Sequence, residues 1–166
     1  MYMKINTEEI VIRRATVRDG PAIWELWKEL VDFHEHLNPA FKRSAKADVA
    51  FKSYIKERLR DDNSVVFMAS AGEQKVGYCL ACIAHHFPVF EIEEYGLIND
   101  LVVTAAVRHQ GIGERLFRQA MTWFREREVG RVELRAALDN IVSTSFWRKM
   151  GFEPYVGVFY RDLKPM

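Results

Sequence analysis

The pattern of apolar and polar positions predicts an alternation of strands and helices along the chain. Alternating or continuous apolar runs predict strands at 10–16, 64–70, 75–84, 95–103 and 131–137, with one or two more within 152–163. Apolar residues at helical spacing predict helices from Asp19, the expected N-cap, to about Asn38, around 51–59, from Gly111 to about Phe124, and over 141–150. This order predicts an α/β domain, a mixed α+β sheet with helices packed on it.

Composition is consistent with one domain over residues 1–166, with its core at about 10–163. Hydrophobic residues make up 49% and charged residues 28%, a globular balance in a chain long enough to bury a core. A net charge of +1 gives no basic field for nucleic acid. No apolar run approaches the ~18 residues of a membrane span, and the N-terminus lacks a signal peptide's apolar stretch. We expect a cytoplasmic protein that binds neither nucleic acid nor membrane.

The cysteines and histidines do not indicate a metal site. Cys79 and Cys82 form a C-x-x-C, but they lie in an apolar run that predicts a strand. Residues three apart on a strand point to opposite faces, so we expect two small buried hydrophobic side chains. His34 and His36 are two apart on a helix and do not share a face. We expect no metal.

Two glycines stand where a helix is expected to begin. "RHQGIGERL", residues 108–116, follows a strand and carries Gly111 and Gly113. Free amides and the helix dipole attract an anion at such a position, and glycine lets a phosphate come close. The segment lacks the Lys-Ser/Thr of a Walker loop and the third glycine of a Rossmann loop. It predicts a phosphate or pyrophosphate cradle, the alternative being a loop with two permissive residues and no ligand.

The same segment resembles a known family signature. "VRHQGIGERLF" is similar to the acetyl-CoA motif Arg/Gln-x-x-Gly-x-Gly/Ala of the GCN5-related N-acetyltransferases (GNAT) at Arg108, Gly111 and Gly113. "INDLVV" resembles that family's fourth strand, and "DNIVSTSFWRKMGF" its Asn-x-x-(Ala/Ser)-x-x-Phe-Tyr-x-x-x-Gly-Phe element. The resemblance covers nearly the whole chain. It implies a GNAT-like acyl-CoA N-acyltransferase fold, with a central, mostly antiparallel sheet flanked by helices.

The resemblance implies an acetyl-CoA-dependent N-acetyltransferase, an acyltransferase that moves the acetyl group directly to a primary amine of a small cationic acceptor. Three sets of residues are implied to bind acetyl-CoA. The pyrophosphate would bind the backbone amides of Gln110, Gly111, Ile112 and Gly113, with Arg108 and His109 adding charge for it or for the 3'-phosphate. The pantetheine arm would bind backbone groups of Leu101, Val102 and Val103 and the side-chain amide of Asn140. Asn140 is alternatively the N-cap of the next helix, and the two roles are compatible.

Transfer to an amine needs a base, since an alkylamine with a pKa of about 10 is mostly protonated at neutral pH. Asn99 and Asp100 stand where several family members carry Glu-Asp. Asn99 would orient substrate, whereas Asp100 keeps a carboxylate and is the candidate base. Adjacent strand residues face opposite sides, however, so Asp100 does not inherit the role by position alone. Two alternatives to Asp100 as the base stay open. Asp100 would have a structural role, or the base would be Glu91, Glu93 or Glu94 acting through water.

The second motif departs from the family at its acid. Trp147 replaces the family's tyrosine, and an indole N–H is not a usable acid near neutral pH. Tyr155 or Tyr160 would protonate the departing thiolate, or the thiolate takes its proton from water. Predicted walls of the acceptor site are Trp147, His34, His36, Phe41 and Tyr54. The acids Asp32 and Glu35 would suit a cation. The alternatives are a protein N-terminal or lysine acetyltransferase and a CoA-binding sensor without turnover. A homodimer is common in the family.

Overall fold

The structure is a computed structural model that describes residues 7–161 and residue 163. The described residues fall into two compact units, the first ending at Arg135 and the second beginning at Ala136. The first unit holds the sheet and three of the helices, and the second holds the helix that follows Asn140. None of the described helices is long and apolar enough to cross a bilayer.

The sheet has five strands that lie in chain order. They are β1 (Ile10–Arg14), β2 (Ser64–Ala71), β3 (Gln74–His85), β4 (Glu94–Val103) and β5 (Val132–Leu134). The first four pair antiparallel, and β5 pairs parallel to β4. The mostly antiparallel sheet expected from the sequence is therefore confirmed. β2 and β3 are buried over most of their length on both faces, which explains their nearly continuous apolar runs.

Four α-helices accompany the sheet. They are α1 (Gly20–Leu37), α2 (Ala47–Arg58) and α3 (Ile112–Glu126) in the first unit, and α4 (Ile141–Lys149) in the second. One core cluster joins buried side chains of α1 and α2 to one face of β2, β3 and β4: Ile23, Trp24, Leu26, Phe51, Ile55, Val66, Met68, Tyr78, Leu80 and Val102. α3 packs so closely on β4 that a Cβ at Gly96 would lie 2.5 Å from the Phe124 ring. The α1–α2 pair positions the candidate site over β4.

Two local expectations are corrected. The carboxylate of Asp19 does not cap α1: it accepts from the Thr16 amide at 2.8 Å and pairs with Arg13 at 2.7 Å. The hydrogen bond from Arg13 holds the pKa of Asp19 at about 2. The expected terminal strands are also wrong for residues 152–161, which form no strand in the structure. An alternating pattern shows that a segment suits a sheet, but a strand also needs a partner, and this segment leaves Phe159 97% exposed.

Candidate active site

The middle of β4 contains a β-bulge. Pairing with β3 steps from Leu80–Asp100 to Ala81–Ile98, so Asn99 is the extra residue. Neighbouring side chains of a regular strand point to opposite faces, but a bulge re-aims them. Here Asn99 and Asp100 both line the same cavity. The bulge thus brings together two side chains that the regular strand pattern would separate.

The cavity has a volume of about 390 Å³. Its lining comes from α1, α2 and β4: Trp27, Ala47, Ala50, Phe51, Tyr54, Asn99 and Asp100. The rings of Trp27 and Phe51 stack with centroids 4.3 Å apart, and Phe51 lies 6.3 Å from Tyr54. The side of the cavity formed by α1 and α2 is therefore lined by aromatic rings and alanine methyl groups. The side formed by β4 offers the amide of Asn99 and the carboxylate of Asp100.

The carboxylate of Asp100 is partly buried and accepts a hydrogen bond from a neighbouring tyrosine. The Tyr78 hydroxyl, fully buried on β3, donates a hydrogen bond to Asp100 Oδ2 at 3.1 Å. Burial raises the pKa of Asp100 to about 6, although the bond from Tyr78 acts in the opposite direction. A carboxylate with this pKa is ionised at neutral pH and binds a proton more strongly than an ordinary aspartate does. These are the properties of a general base.

Two other polar side chains, those of Asn99 and Tyr54, line the cavity together with Asp100. The Cys82 thiol donates to Asn99 Oδ1 at 3.1 Å, which fixes the orientation of that amide. Burial, followed by the charge of Asp100, raises the pKa of Tyr54 to about 12, so its hydroxyl is a neutral donor in the cavity. Cys79, fully buried behind the site, has its thiol pKa raised by the same burial. Both cysteines are buried and unbonded to each other, as the sequence predicts.

The edge of β4 beyond the bulge is open on one side. Leu101, Val102 and Val103 pair with β3. Within residues 7–161, the ladder to β5 ends at Ile98–Leu134. The backbone groups of 101–103 that face away from β3 thus have no strand opposite them among the described residues. An extended ligand arm can lie along such an edge in the manner of an added strand.

The glycine segment forms the N-terminus of α3. Gly111 is its N-cap residue with φ +77°, and His109 has φ +62°. The first amides of an α-helix have no partner within the helix, and a 15-residue helix adds its dipole. A Cβ at Gly111 would meet no atom within 4 Å, so the space beside it is open. The positive φ accounts for a glycine at this position.

The side chain of Arg108 is held by the protein itself. Its Nε donates to the Val103 carbonyl at 2.9 Å, its Nη2 lies 3.6 Å from Glu29 Oε1, and its guanidinium lies over the Phe33 ring. Glu29 also accepts from the Thr104 hydroxyl at 2.8 Å and from the Ala105 amide at 2.6 Å. Glu29 therefore ties α1 to the segment between β4 and α3. The sequence holds no signal for this, because Glu29 is a polar helix residue about 75 positions away.

The remaining predicted site residues lie elsewhere in the first unit or in the second. His34 and Phe41 have rings 5.4 Å apart, but neither lines the cavity. Glu94 is exposed at the start of β4, 3.6 Å from His85 Nε2. It lies six positions before Asp100, which corresponds to about 20 Å along a strand.

The second unit holds four of the predicted site residues, which are Asn140, Trp147, Tyr155 and Tyr160. Asn140 Oδ1 accepts from the Ser143 amide at 3.0 Å, which is the N-cap contact expected for it. Its Nδ2 is the group that would contact a pantetheine arm. The Trp147 ring packs edge-on against Phe146 at 4.9 Å and Phe152 at 5.4 Å. The two candidate acids, Tyr155 and Tyr160, are exposed residues, at 63% and 74%.

Comparison with known proteins identifies the family. Residues 25–152 match the sequence model of the acetyltransferase (GNAT) family, and the chain belongs to that family. An uncharacterized N-acetyltransferase of Archaeoglobus fulgidus is 35% identical over 98 residues. That match covers 55% of this chain and 65% of the relative, so it spans less than two thirds of the relative's own length.

Solved structures agree with the expected fold. A tetramutant of a Bacillus halodurans protein superposes with a TM-score of 0.83 at 20% identity, covering 92% of this chain and 99% of that one. An aminoglycoside N-acetyltransferase in complex with CoA superposes with a TM-score of 0.69 at 19% identity, covering 92% and 94%. The predicted family and fold class are confirmed. Among the described residues, no three His, Cys, Asp or Glu side chains are grouped as a metal site would require.

Proposed function

We propose that the protein is an N-acetyltransferase that moves the acetyl group of acetyl-CoA directly to a small primary amine in the cavity. The observation that carries the proposal is the bulge in β4. It places the Asp100 carboxylate in the cavity lining, next to the open edge of residues 101–103. Membership of the GNAT family supports the same chemistry.

Acetyl-CoA is the donor substrate, and it supplies an acetyl thioester. The backbone amides of 110–113 at the start of α3 suit its pyrophosphate, because a helix N-terminus favours anions and Gly111 leaves open space. Residues 101–103 have no described strand opposite them on the side away from β3, which suits the amides of a pantetheine arm, although the Val103 carbonyl already accepts from Arg108. The Asn140 Nδ2 is a further candidate contact for that arm. His109, next to the cradle in sequence, is a candidate contact for the phosphates. We include both units in one N-acetyltransferase domain, since the family match runs from 25 to 152.

The reaction begins with the acceptor ammonium. Asp100 takes one of its protons, and the free amine attacks the acetyl carbonyl carbon. A strand N–H within 101–103 stabilises the tetrahedral oxyanion. The nitrogen then loses its second proton to water as the C–S bond breaks, so the neutral amide forms and the thiolate leaves. Its proton comes from Tyr155, Tyr160 or water, and Asn99 orients the acceptor.

The test is thiol release from acetyl-CoA across primary amines at about pH 8. The panel covers polyamines, amino acids, aminoglycosides, arylalkylamines and peptides, with calorimetry of CoA binding in parallel. We expect release with at least one small amine and an N-acetylated product by mass spectrometry. CoA binding without release from any acceptor would overturn the proposal in favour of a sensor. Release with peptides alone would favour a protein acetyltransferase. The cytoplasmic location and the homodimer stay predictions.

A further inference from the structure

We propose that the acceptor is a monoamine whose amine is joined by a short linker to an apolar, ring-sized group. The inference rests on the proposed function and concerns the same cavity. It follows from three features of the lining, which are its aromatic wall, its single carboxylate, and the charges on the surrounding helices.

The aromatic wall sets what the body of the acceptor contacts. Trp27 and Phe51 stack at 4.3 Å, and Ala47 and Ala50 leave space in front of α2. Tyr54 continues the wall with a ring that is 37% exposed. Burying a ring against such a surface is favourable, whereas burying hydroxyl or ammonium groups without partners is costly. About 390 Å³ lies within the ~300–1,000 Å³ usual for small-molecule sites.

The lining offers charge for only one ammonium. Among the described residues that line the cavity, Asp100 is the one carboxylate and none is basic. A second ammonium would have no counter-charge, which disfavours polyamines and aminoglycosides. The carboxylate of an amino-acid acceptor would equally lack a cation. A single ammonium group beside Asp100 balances the charge of the lining.

Two acids on the helices around the cavity are already paired with basic side chains. Asp48, between the two lining alanines, bonds Lys52 at 2.9 Å, and Asp32 on α1 bonds Arg43 at 2.7 Å. The Arg58 guanidinium lies over the Tyr54 ring, 5.6 Å from its centroid. These contacts offset the negative charge of Asp48 and Asp32, so neither acid is available as an unpaired counter-charge for a second ammonium.

Matched amines separate these requirements. Phenethylamine is compared with propylamine, which lacks the ring, with putrescine, which adds a charge, with phenylalanine, which adds a carboxylate, and with kanamycin. We expect kcat/KM for phenethylamine to exceed each of the others by about tenfold or more, the scale on which a pocket separates such substrates. A higher kcat/KM for putrescine, phenylalanine or kanamycin would overturn the inference and leave the proposed function standing. No release with any amine would overturn both.

A charge placed in the cavity tests the same inference from the protein side. Ala50→Glu adds a carboxylate to the lining at an exposed helix position where glutamate is a good helix former. We expect the ratio of kcat/KM for putrescine to that for phenethylamine to rise about tenfold. Val49→Glu is the control, because Val49 is 74% exposed on the same helix and outside the lining. An equal change in both variants, or none in Ala50→Glu, would contradict the inference.

Discussion

The cradle at 108–113 and the cavity over Asp100 are built by different means. The cradle comes from one continuous segment, and its defining features are a glycine with φ +77° and the start of α3. The cavity comes from three elements far apart in sequence, α1, α2 and the bulge of β4. The first is determined by backbone conformation, and the second by packing.

This difference separates two kinds of chemical requirement. Any pyrophosphate presents the same anion, so backbone amides and a glycine suffice to hold it. An acceptor is selected by shape and charge, and those depend on which side chains α1 and α2 present to β4. Mutations in the cradle should therefore act on donor binding, whereas mutations in the cavity should act on transfer and on acceptor choice.

The largest expected effect is at the carboxylate of the cavity. Asp100→Asn should lower kcat/KM by roughly 100-fold near neutral pH, because an amide cannot accept the acceptor's proton. The loss should shrink as pH rises, since free amine is then present without enzyme help. CoA affinity by calorimetry should barely change. An unchanged kcat/KM would show that the base lies elsewhere.

Stability separates this role from a structural one. Burial raises the pKa of Asp100 from 3.8 to about 6, so the folded state disfavours the ionised carboxylate. That cost develops as pH rises from about 4 to about 6 and persists above it. Asp100→Asn removes the cost, so its Tm should exceed that of the wild type by several degrees at about pH 8, with little difference at about pH 4. A lower Tm at pH 8, with residual activity that keeps the wild-type pH profile, would assign Asp100 a structural role.

The next largest effect is expected in the cradle. Gly111→Val should weaken CoA binding about tenfold or more, because a branched residue at φ +77° is strained and its side chain enters the open space beside the amides. Gly72→Val is the matched control: Gly72 has φ +56°, also with open space, in the β2–β3 turn. Calorimetry should show a change in Kd for Gly111→Val alone, while both variants lose stability. Equal Kd values in two folded variants would contradict a cradle at Gly111.

The sequence predicts the glycine start of α3 better than it predicts the cavity lining, for a physical reason. Gly111 is visible because few other residues adopt its φ, and the strand and helix around it follow from local periodicity. The side of the cavity formed by β4 is different. Alternation places Asn99 and Asp100 on opposite faces, and only the register against β3 reveals that the bulge aims both at one cavity.

Helix packing limits prediction in the same way. The aromatic residues of α1 and α2 are recognisable as apolar positions, but which of them line a cavity depends on how the helices cross the sheet. Tyr54, expected as a wall residue, lines it, whereas His34 and Phe41 do not. Glu29 gives no local signal because its partners at 104–108 are distant in sequence.

A smaller effect is expected at the hydrogen bond to the base. Tyr78→Phe removes the donor that stabilises ionised Asp100, so the pKa of Asp100 should rise further and the acid limb of kcat/KM should move up. Activity should fall several-fold near pH 6 and little near pH 8. Tyr54 and Cys79, which also face Asp100, are unchanged in this variant.

The control for Tyr78→Phe is Met68→Leu, a volume-conserving change at the buried residue that pairs with Tyr78 on β2. It perturbs the same core without touching the carboxylate, so its pH profile should match the wild type. If both variants moved the acid limb equally, the shift would come from core packing rather than from the hydroxyl.

The smallest effect is expected where α1 meets the cradle. Glu29→Gln keeps one oxygen for Thr104 or Ala105 but removes the charge facing Arg108, a partly exposed pair 3.6 Å apart. Partly exposed ion pairs contribute little free energy, so Arg108 and the start of the cradle should be held only slightly less firmly. We therefore expect CoA affinity to fall only about two- to threefold. Glu25→Gln, which breaks the exposed pair with Lys28 on the same helix, is the control and should leave Kd unchanged. Tighter CoA binding in Glu29→Gln would mean that Glu29 withholds Arg108 from the anion, and the cradle would then depend on side-chain charge as well as on backbone amides.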